Sequence, residues 1–76
     1  MEIKVCGPGC TKCKEVERLV NAVVAETGTQ ATVTKVADFA EIAKLGVFST
    51  PAVVIDGQIK CVGKVPSRHD VMEWLK

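Results

Sequence analysis

Three of the chain's four cysteines lie within eight residues near the N-terminus, at Cys6, Cys10 and Cys13. Cys10 and Cys13 form a C-x-x-C pair that follows a short alternating apolar segment and opens a pattern typical of an amphipathic helix. We therefore expect both thiols at a helix N-terminus, where unpaired N–H groups and partial positive charge favour a thiolate over a thiol. Cysteines one helical turn apart can also close a disulfide with little backbone movement. This arrangement predicts thiol–disulfide exchange.

The elements that must hold this pair follow from periodicity and turn residues. Alternating or continuous apolar runs predict strands at 2–6, 32–36, 52–55 and 58–62. Helical periodicity predicts helices at 11–26, 39–45 and 68–75. Asp38 and Ser67 are predicted N-caps, and Asp56-Gly57 predicts a hairpin between the last two strands.

These elements predict an α/β fold in one domain that spans residues 1–76. The first two strands are joined by a long helix and should therefore be parallel, with a right-handed crossover. The two hairpin strands must be antiparallel. We expect a βαβ unit, a short helix, a β-hairpin and a C-terminal helix, which together form a four-stranded mixed sheet with helices on both faces.

The overall composition narrows the classes of function. The 76 residues are 47% hydrophobic and carry a formal net charge of +1 without runs of like charge, which points away from nucleic-acid and membrane partners. No apolar stretch approaches the roughly 20 residues of a membrane span, and the N-terminus lacks the pattern of a signal peptide. We therefore expect a cytoplasmic protein, in which a transient catalytic disulfide is more usual than a structural one.

Two motifs and one glycine give the chain a resemblance to a known family. They are Gly7-Pro8-Gly9-Cys10-Thr11-Lys12-Cys13 after the first strand, Ser49-Thr50-Pro51-Ala52-Val53-Val54-Ile55-Asp56-Gly57, and Gly63 near the last strand. In this order they make the chain resemble the thioredoxin-fold redox proteins over essentially its whole length. It looks most similar to the small thioredoxin-like, redox-active disulfide proteins of bacteria and archaea, which implies a minimal thioredoxin-like fold.

The resemblance implies a thioredoxin/glutaredoxin-like disulfide oxidoreductase and assigns roles to the matching residues. Cys10 would be the exposed attacking thiol, and Cys13, which is more buried, would resolve the mixed disulfide. Pro51 would be in cis, and the Thr50 backbone would pair with an extended segment of the substrate protein. The implied partners are protein disulfides or dithiols and an unidentified reductase. We expect a monomer that uses the Cys10–Cys13 disulfide and needs neither a cofactor nor a metal.

The residues around the cysteine pair depart from the best-known members of the family. Thr11 and Lys12 separate the cysteines where thioredoxins have Gly-Pro, and Gly9 stands where thioredoxins have a Trp. We expect these three residues to support the site. Gly9 should leave access to the thiols, and Lys12 should face solvent, where it either favours the thiolate or is an ordinary surface residue. The Gly-Gly-x-Asp stretch that helps glutaredoxins hold glutathione is missing.

Cys6 leaves other classes of function open. It is either a buried strand residue that packs as a small hydrophobe or a third redox thiol. It could also complete, with Cys10 and Cys13, a three-thiolate binding module for a soft ion such as Cu(I), As(III) or Hg(II). A further hypothesis is an adaptor domain that keeps the fold without turnover.

The remaining cysteine and the aromatic residues are predicted to be structural. Cys61 should pack in the core; whether it also approaches the paired thiols depends on the strand register, which the sequence does not fix. Trp74 is expected to dock the last helix on the sheet. Phe39 and Phe48 are expected in the core and on its flank, and Phe48 is near enough in sequence to Pro51 to line a substrate groove.

Overall fold

All of the predicted helices and strands are present in the computed structural model, which describes residues 1–9 and 11–75. In chain order they are β1 (Glu2–Cys6), α1 (Thr11–Thr27), β2 (Thr32–Val36), α2 (Phe39–Lys44), β3 (Ala52–Ile55), β4 (Gln58–Val62) and α3 (Arg68–Trp74). The strand bounds match the prediction. The helix ends differ from it by one residue, and the residues that follow α2 and α3, Leu45 and Leu75, are C-caps.

The strands form one mixed sheet in the order β2-β1-β3-β4. β1 and β2 are parallel, as expected for strands joined by a helix. β3 is antiparallel to both β1 and β4. One row of paired residues crosses the sheet where β1 ends, and it consists of Val36, Cys6, Ala52 and Val62. We call this side of the molecule the Cys6 end of the sheet.

The two faces of the sheet carry separate cores of different size. The main core lies under α1 and α3 and consists of Ile3, Val5, Val16, Val20, Val23, Val53, Ile55, Cys61, Val71 and Leu75. The small core lies under α2 on the opposite face and consists of Cys6, Ile42, Val47, Ala52 and Val54. Because successive strand residues point to opposite faces, β1 and β3 contribute to both cores. The α/β fold with helices on both faces is thereby confirmed.

The predicted turn and cap residues explain why the elements end where they do. Asp56 and Gly57 have φ values of 48° and 82°, the positive values that a tight type I′ hairpin requires. The Asp56 carboxylate also accepts a hydrogen bond from the backbone N–H of Glu2, at 2.7 Å. Ser67 and Asp70 form a reciprocal capping box at the start of α3. These local contacts hold the hairpin to β1 and fix the start of the last helix.

The expectation that the two phenylalanines contribute to the core is wrong. Phe39 is 66% exposed and Phe48 is 86% exposed. The short helix α2, capped by Asp38, buries Ile42 against the sheet, and the loop that follows buries Val47 in place of its neighbour Phe48. Both aromatic rings are consequently left on the surface.

Candidate functional site

The loop between β1 and α1 is fixed to the sheet by its first residue. The Gly7 N–H donates a hydrogen bond to the carbonyl oxygen of Val36 at 2.8 Å, which extends the pairing of β1 with β2 by one residue. Gly9 then adopts a φ of +97°, a conformation that L side chains rarely tolerate. Because of these two glycines, the chain turns sharply from the Cys6 end of the sheet into α1.

Cys13 is the predicted resolving cysteine, and it lies directly against this loop. It is the third residue of α1 and is only 2% exposed. A Cβ atom placed on Gly7 would lie 2.8 Å from the Cys13 Cβ and would also overlap its Sγ, so the missing side chain of Gly7 makes the space that the thiol occupies. Cys10, the predicted nucleophile, lies outside the described residues, between Gly9 and Thr11.

The second motif reaches the same end of the sheet. The Thr50–Pro51 peptide bond is cis, as the resemblance implies. Pro51 is buried, and its carbonyl oxygen accepts a hydrogen bond from the Gly63 N–H at 2.8 Å. Thr50 is partly buried. The next residue, Ala52, pairs with Cys6, so the Thr50–Pro51 segment and the loop that carries Gly7 leave neighbouring strands at the Cys6 end.

Several lysines surround this end of the sheet. Lys12 is exposed in the first turn of α1, beside the exposed Thr11, as predicted. Lys35, near the end of β2, was not singled out from the sequence, yet its Nζ lies 3.6 Å from the position that a Cβ of Gly9 would take. Lys64 is exposed just beyond β4. A helix N-terminus and nearby ammonium groups both stabilise a thiolate, so the site is suited to nucleophilic sulfur chemistry.

The other two cysteines belong to the two cores. Cys6 is fully buried in the small core, under α2, whereas Cys13 belongs to the helix on the opposite face of the sheet. Cys61 is buried in the main core, and its thiol donates a hydrogen bond to the Lys64 carbonyl oxygen at 3.1 Å. Burial raises the pKa of both the Cys6 and the Cys61 thiols. These surroundings favour structural thiols, as predicted for Cys61.

Within residues 1–9 and 11–75, no group of three or more His, Cys, Asp or Glu side chains is arranged to hold a metal ion. The three-thiolate set of Cys6, Cys10 and Cys13 includes a residue outside that range, so it stays a prediction. The burial of Cys6 favours its packing role. Among the described residues, no helix is long and apolar enough to cross a membrane. Trp74 is half-buried against the main core, as expected of the residue that docks α3.

Sequence reasoning missed Gly7 and Lys35 as residues of the site. The sequence shows Gly7 only as the first residue of the cysteine motif, and its role depends on the approach of Cys13 in α1, which no local pattern reveals. Lys35 occupies an ordinary exposed position of an alternating strand. One signal was available for Lys35. Because β1 and β2 are predicted to be parallel, their carboxyl ends must lie at the same edge of the sheet, which is where the cysteine loop begins.

Comparison with known proteins agrees with this arrangement. The family model described as a thioredoxin domain matches residues 1–76. A protein named thioredoxin from Methanocaldococcus jannaschii is 42% identical over 74 residues, which cover 97% of this chain and 85% of that protein. A second protein named thioredoxin, from Methanothermobacter thermautotrophicus, is 29% identical over 75 residues, which cover 99% of this chain and 97% of that protein. The chain therefore belongs to the thioredoxin family.

Proposed function

We propose that the protein is a thiol–disulfide oxidoreductase that exchanges electrons with disulfides in other proteins, with Cys10 as the nucleophile and Cys13 as the resolving thiol. The observation that carries this proposal is the setting of Cys13. Its side chain is buried at the start of α1 against Gly7, at the end of the sheet where the cis Thr50–Pro51 bond begins β3. The membership in the thioredoxin family supports the same chemistry.

The reaction needs only the two thiols and the substrate disulfide. The Cys10 thiolate attacks one sulfur of the disulfide, a mixed disulfide with Cys10 forms, and the other substrate sulfur leaves as a thiolate. Cys13 then loses its proton and attacks the Cys10 sulfur. This closes the Cys10–Cys13 bond and releases the second substrate thiol, so two electrons have moved from the protein to the substrate. Oxidation of a substrate dithiol follows the same steps in reverse.

The position of Cys13 suits the second step. A buried thiol is shielded from disulfides in solution, but it lies one helical turn from Cys10 in sequence and can reach that sulfur with little backbone movement. The backbone of Thr50 is the part of the cis-proline segment that we propose pairs with the extended substrate. Gly9, Thr11 and Lys12 support the site by leaving it open and cationic.

We propose a monomer of one domain that works in the cytoplasm, where transient catalytic disulfides are favoured. A separate reductase of unidentified class would return electrons to the Cys10–Cys13 disulfide. The pair itself then takes the place of a cofactor.

Trapping of the mixed disulfide tests the roles of the two cysteines. We expect reduced Cys13→Ser protein, mixed with insulin as a disulfide-bearing probe, to accumulate a stable adduct joined through Cys10, because the resolving thiol is missing. Cys61→Ser is the matched control, since it removes a buried thiol of the main core, and it should turn over without accumulating an adduct. Mass spectrometry under non-reducing conditions identifies the linked cysteine. Equal trapping by Cys10→Ser would contradict the assignment.

A further inference from the structure

The chain turns away from the sheet at the end of β4, over residues Cys61 to Lys64, which we call the 61–64 turn. The Cys61 thiol is buried beneath this turn and donates a hydrogen bond to the Lys64 carbonyl oxygen at 3.1 Å. Burial raises the pKa of the Cys61 thiol above its ordinary value, so the sulfur keeps its proton at neutral pH and can act as a donor. The hydrogen bond therefore joins the two sides of the turn.

Side-chain packing contributes little to the 61–64 turn. Val62, Gly63 and Lys64 are all exposed. Gly63 has a φ of +76°, and glycine has more backbone freedom to lose on folding than any other residue. The chain is buried again only at Pro66. The hydrogen bond from Cys61 thus supplies a restraint that packing does not.

The 61–64 turn in its turn restrains the cis-proline segment. The Gly63 N–H donates a hydrogen bond to the Pro51 carbonyl oxygen at 2.8 Å. A Cβ placed on Gly63 would lie 3.6 Å from the Ser49 Cβ, so the turn also lies against the residue on the other side of Thr50. The segment that presents the Thr50 backbone is therefore held in place from the side of β4.

The residue type at position 61 is unusual for its surroundings. The irregularity in the β3–β4 pairing places Cys61 opposite Val53, on the face of the main core. Apart from Cys61, the buried residues of that core are valine, isoleucine and leucine. A cysteine packs there as a small hydrophobe and still carries a weak S–H donor, so it meets the demand for burial and also reaches the backbone of the turn.

We propose that Cys61 is a positioning residue for disulfide exchange: its thiol holds the 61–64 turn, the turn holds the Pro51 carbonyl, and the Thr50 backbone is kept ready for an extended substrate. The inference rests on the proposed function and adds to it a residue that acts through the turn. An ordered segment loses less conformational freedom when a substrate binds. Reduction of a disulfide too small to pair with the Thr50 backbone should therefore not depend on Cys61.

Two variants separate the hydrogen bond from packing. Cys61→Ala removes the donor, whereas Cys61→Ser keeps a hydroxyl group that can donate to the Lys64 carbonyl oxygen. For each reduced variant, the second-order rate constants for reduction of insulin and of hydroxyethyl disulfide are measured under conditions where the variant is fully folded. The ratio of the two constants reports the contribution of substrate pairing. Val23→Ala is the control, because it shortens a fully buried main-core side chain of α1, outside the turn.

We expect Cys61→Ala to lower the ratio of the insulin constant to the hydroxyethyl disulfide constant by about threefold, the effect of one weak hydrogen bond. Cys61→Ser should recover most of this loss. Val23→Ala should keep the wild-type ratio although it destabilises the fold. If Cys61→Ala does not fold, Cys61→Val, which fills the space without a donor, replaces it with the same expected result.

Amide hydrogen exchange tests the structural step without any activity. The Gly63 N–H should exchange faster in Cys61→Ala than in the wild type, and Cys61→Ser should restore its protection. The Gly7 N–H is the internal reference, since it donates a hydrogen bond of the same 2.8 Å length to Val36 and should keep its relative rate.

Two results would overturn the inference alone: unchanged exchange of the Gly63 N–H in Cys61→Ala, or an equal loss of the rate ratio in Cys61→Ala and Cys61→Ser. A wild-type protein that reduces neither insulin nor hydroxyethyl disulfide would instead contradict the proposed function, and the role of Cys61 in exchange with it.

Discussion

The two faces of the sheet differ in how completely they are covered. On one face, α1 and α3 bury a continuous main core of aliphatic residues, and an ion pair between Arg68 and Glu26 links the two helices. On the other face, α2 has only six residues, the small core has five, and two phenylalanines remain exposed beside it. The same sheet thus has one face closed by packing and one face left partly open.

This difference indicates that the two faces of the sheet have different roles. Burial of apolar surface is the dominant favourable term in folding, so most of the stability should come from the main core. Large exposed apolar residues contribute little to folding but are typical of contact surfaces. The cysteine loop leaves the sheet at the Cys6 end, so the helix that follows it is held by the main core, while the two exposed rings belong to the opposite, partly open face.

The largest expected contrast compares one residue from each face. Ile3 is fully buried in the main core, so Ile3→Ala should lower the free energy of unfolding by about 2–5 kcal/mol. Phe48→Ala should change it by no more than about 0.5 kcal/mol, because its side chain is 86% exposed. Urea unfolding monitored by circular dichroism measures both values. If Ile3→Ala does not fold, Ile3→Val replaces it, with an expected loss of about 0.5–1.5 kcal/mol. Equal losses for Ile3 and Phe48 would remove the distinction between the faces.

A smaller loss in the free energy of unfolding is expected at Gly7, in the loop that leaves the Cys6 end of the sheet. Gly7→Ala should cost about 1–3 kcal/mol, because the new methyl group overlaps the Cys13 side chain. It should also shift the redox equilibrium of the cysteine pair, since the Cys13 thiol must move. Unfolding and redox titrations on the same variant measure the two effects.

Gly28→Ala is the matched control for Gly7→Ala. Gly28 has a φ of +65° at the end of α1 and nothing within 4 Å of its Cβ position, so alanine should cost about 1–2 kcal/mol through backbone conformation alone. The redox equilibrium should stay at the wild-type value. A shift of similar size in both variants would mean that Gly7 has no special relation to the site.

The smallest effect concerns the thiols buried in the two cores. Because burial raises the folded-state pKa of Cys6 and Cys61 above the ordinary value of 9.0, the unfolded chain loses these protons first as the pH rises. The free energy of unfolding should therefore fall above pH 9.0, and the contribution of these thiols should be fully retained below it. Cys6→Ala and Cys61→Ala should each make this fall less steep in urea titrations at several pH values. An unchanged slope in the double variant would contradict the burial of these thiols.

Much of the fold could be predicted because its signals are local. The alternation in β2, the Asp56-Gly57 hairpin and the Ser67 cap each depend on a few neighbouring residues, and the structure contains all of them. The register of β4 could not be predicted. The hairpin register pairs Ile55 with Gln58 and Val54 with Ile59, and an irregularity then skips Lys60, so that Val53 pairs with Cys61. That irregularity puts Cys61 on the face of Val53, in the main core.

The site residues that could not be predicted from the sequence depend on contacts between segments that are distant in the chain. Gly7 matters because α1 returns Cys13 against it, and Lys35 matters because β2 ends beside Gly9. The large apolar side chain of Phe48 is typical of a core residue, but Val47 already occupies the available space in the small core. The cysteine spacing predicted the chemistry, whereas the residues that surround the thiols are determined by tertiary packing.

The most direct test of the account is a redox titration of the wild-type protein in defined dithiol buffers, with mass-spectrometric mapping of the cysteines that pair. We predict one reversible disulfide between Cys10 and Cys13, at a potential within the roughly −200 to −300 mV of cytosolic thiol couples, while Cys6 and Cys61 remain reduced in their cores. A titration in which Cys10 and Cys13 do not pair, or in which Cys6 is the dominant partner, would contradict it.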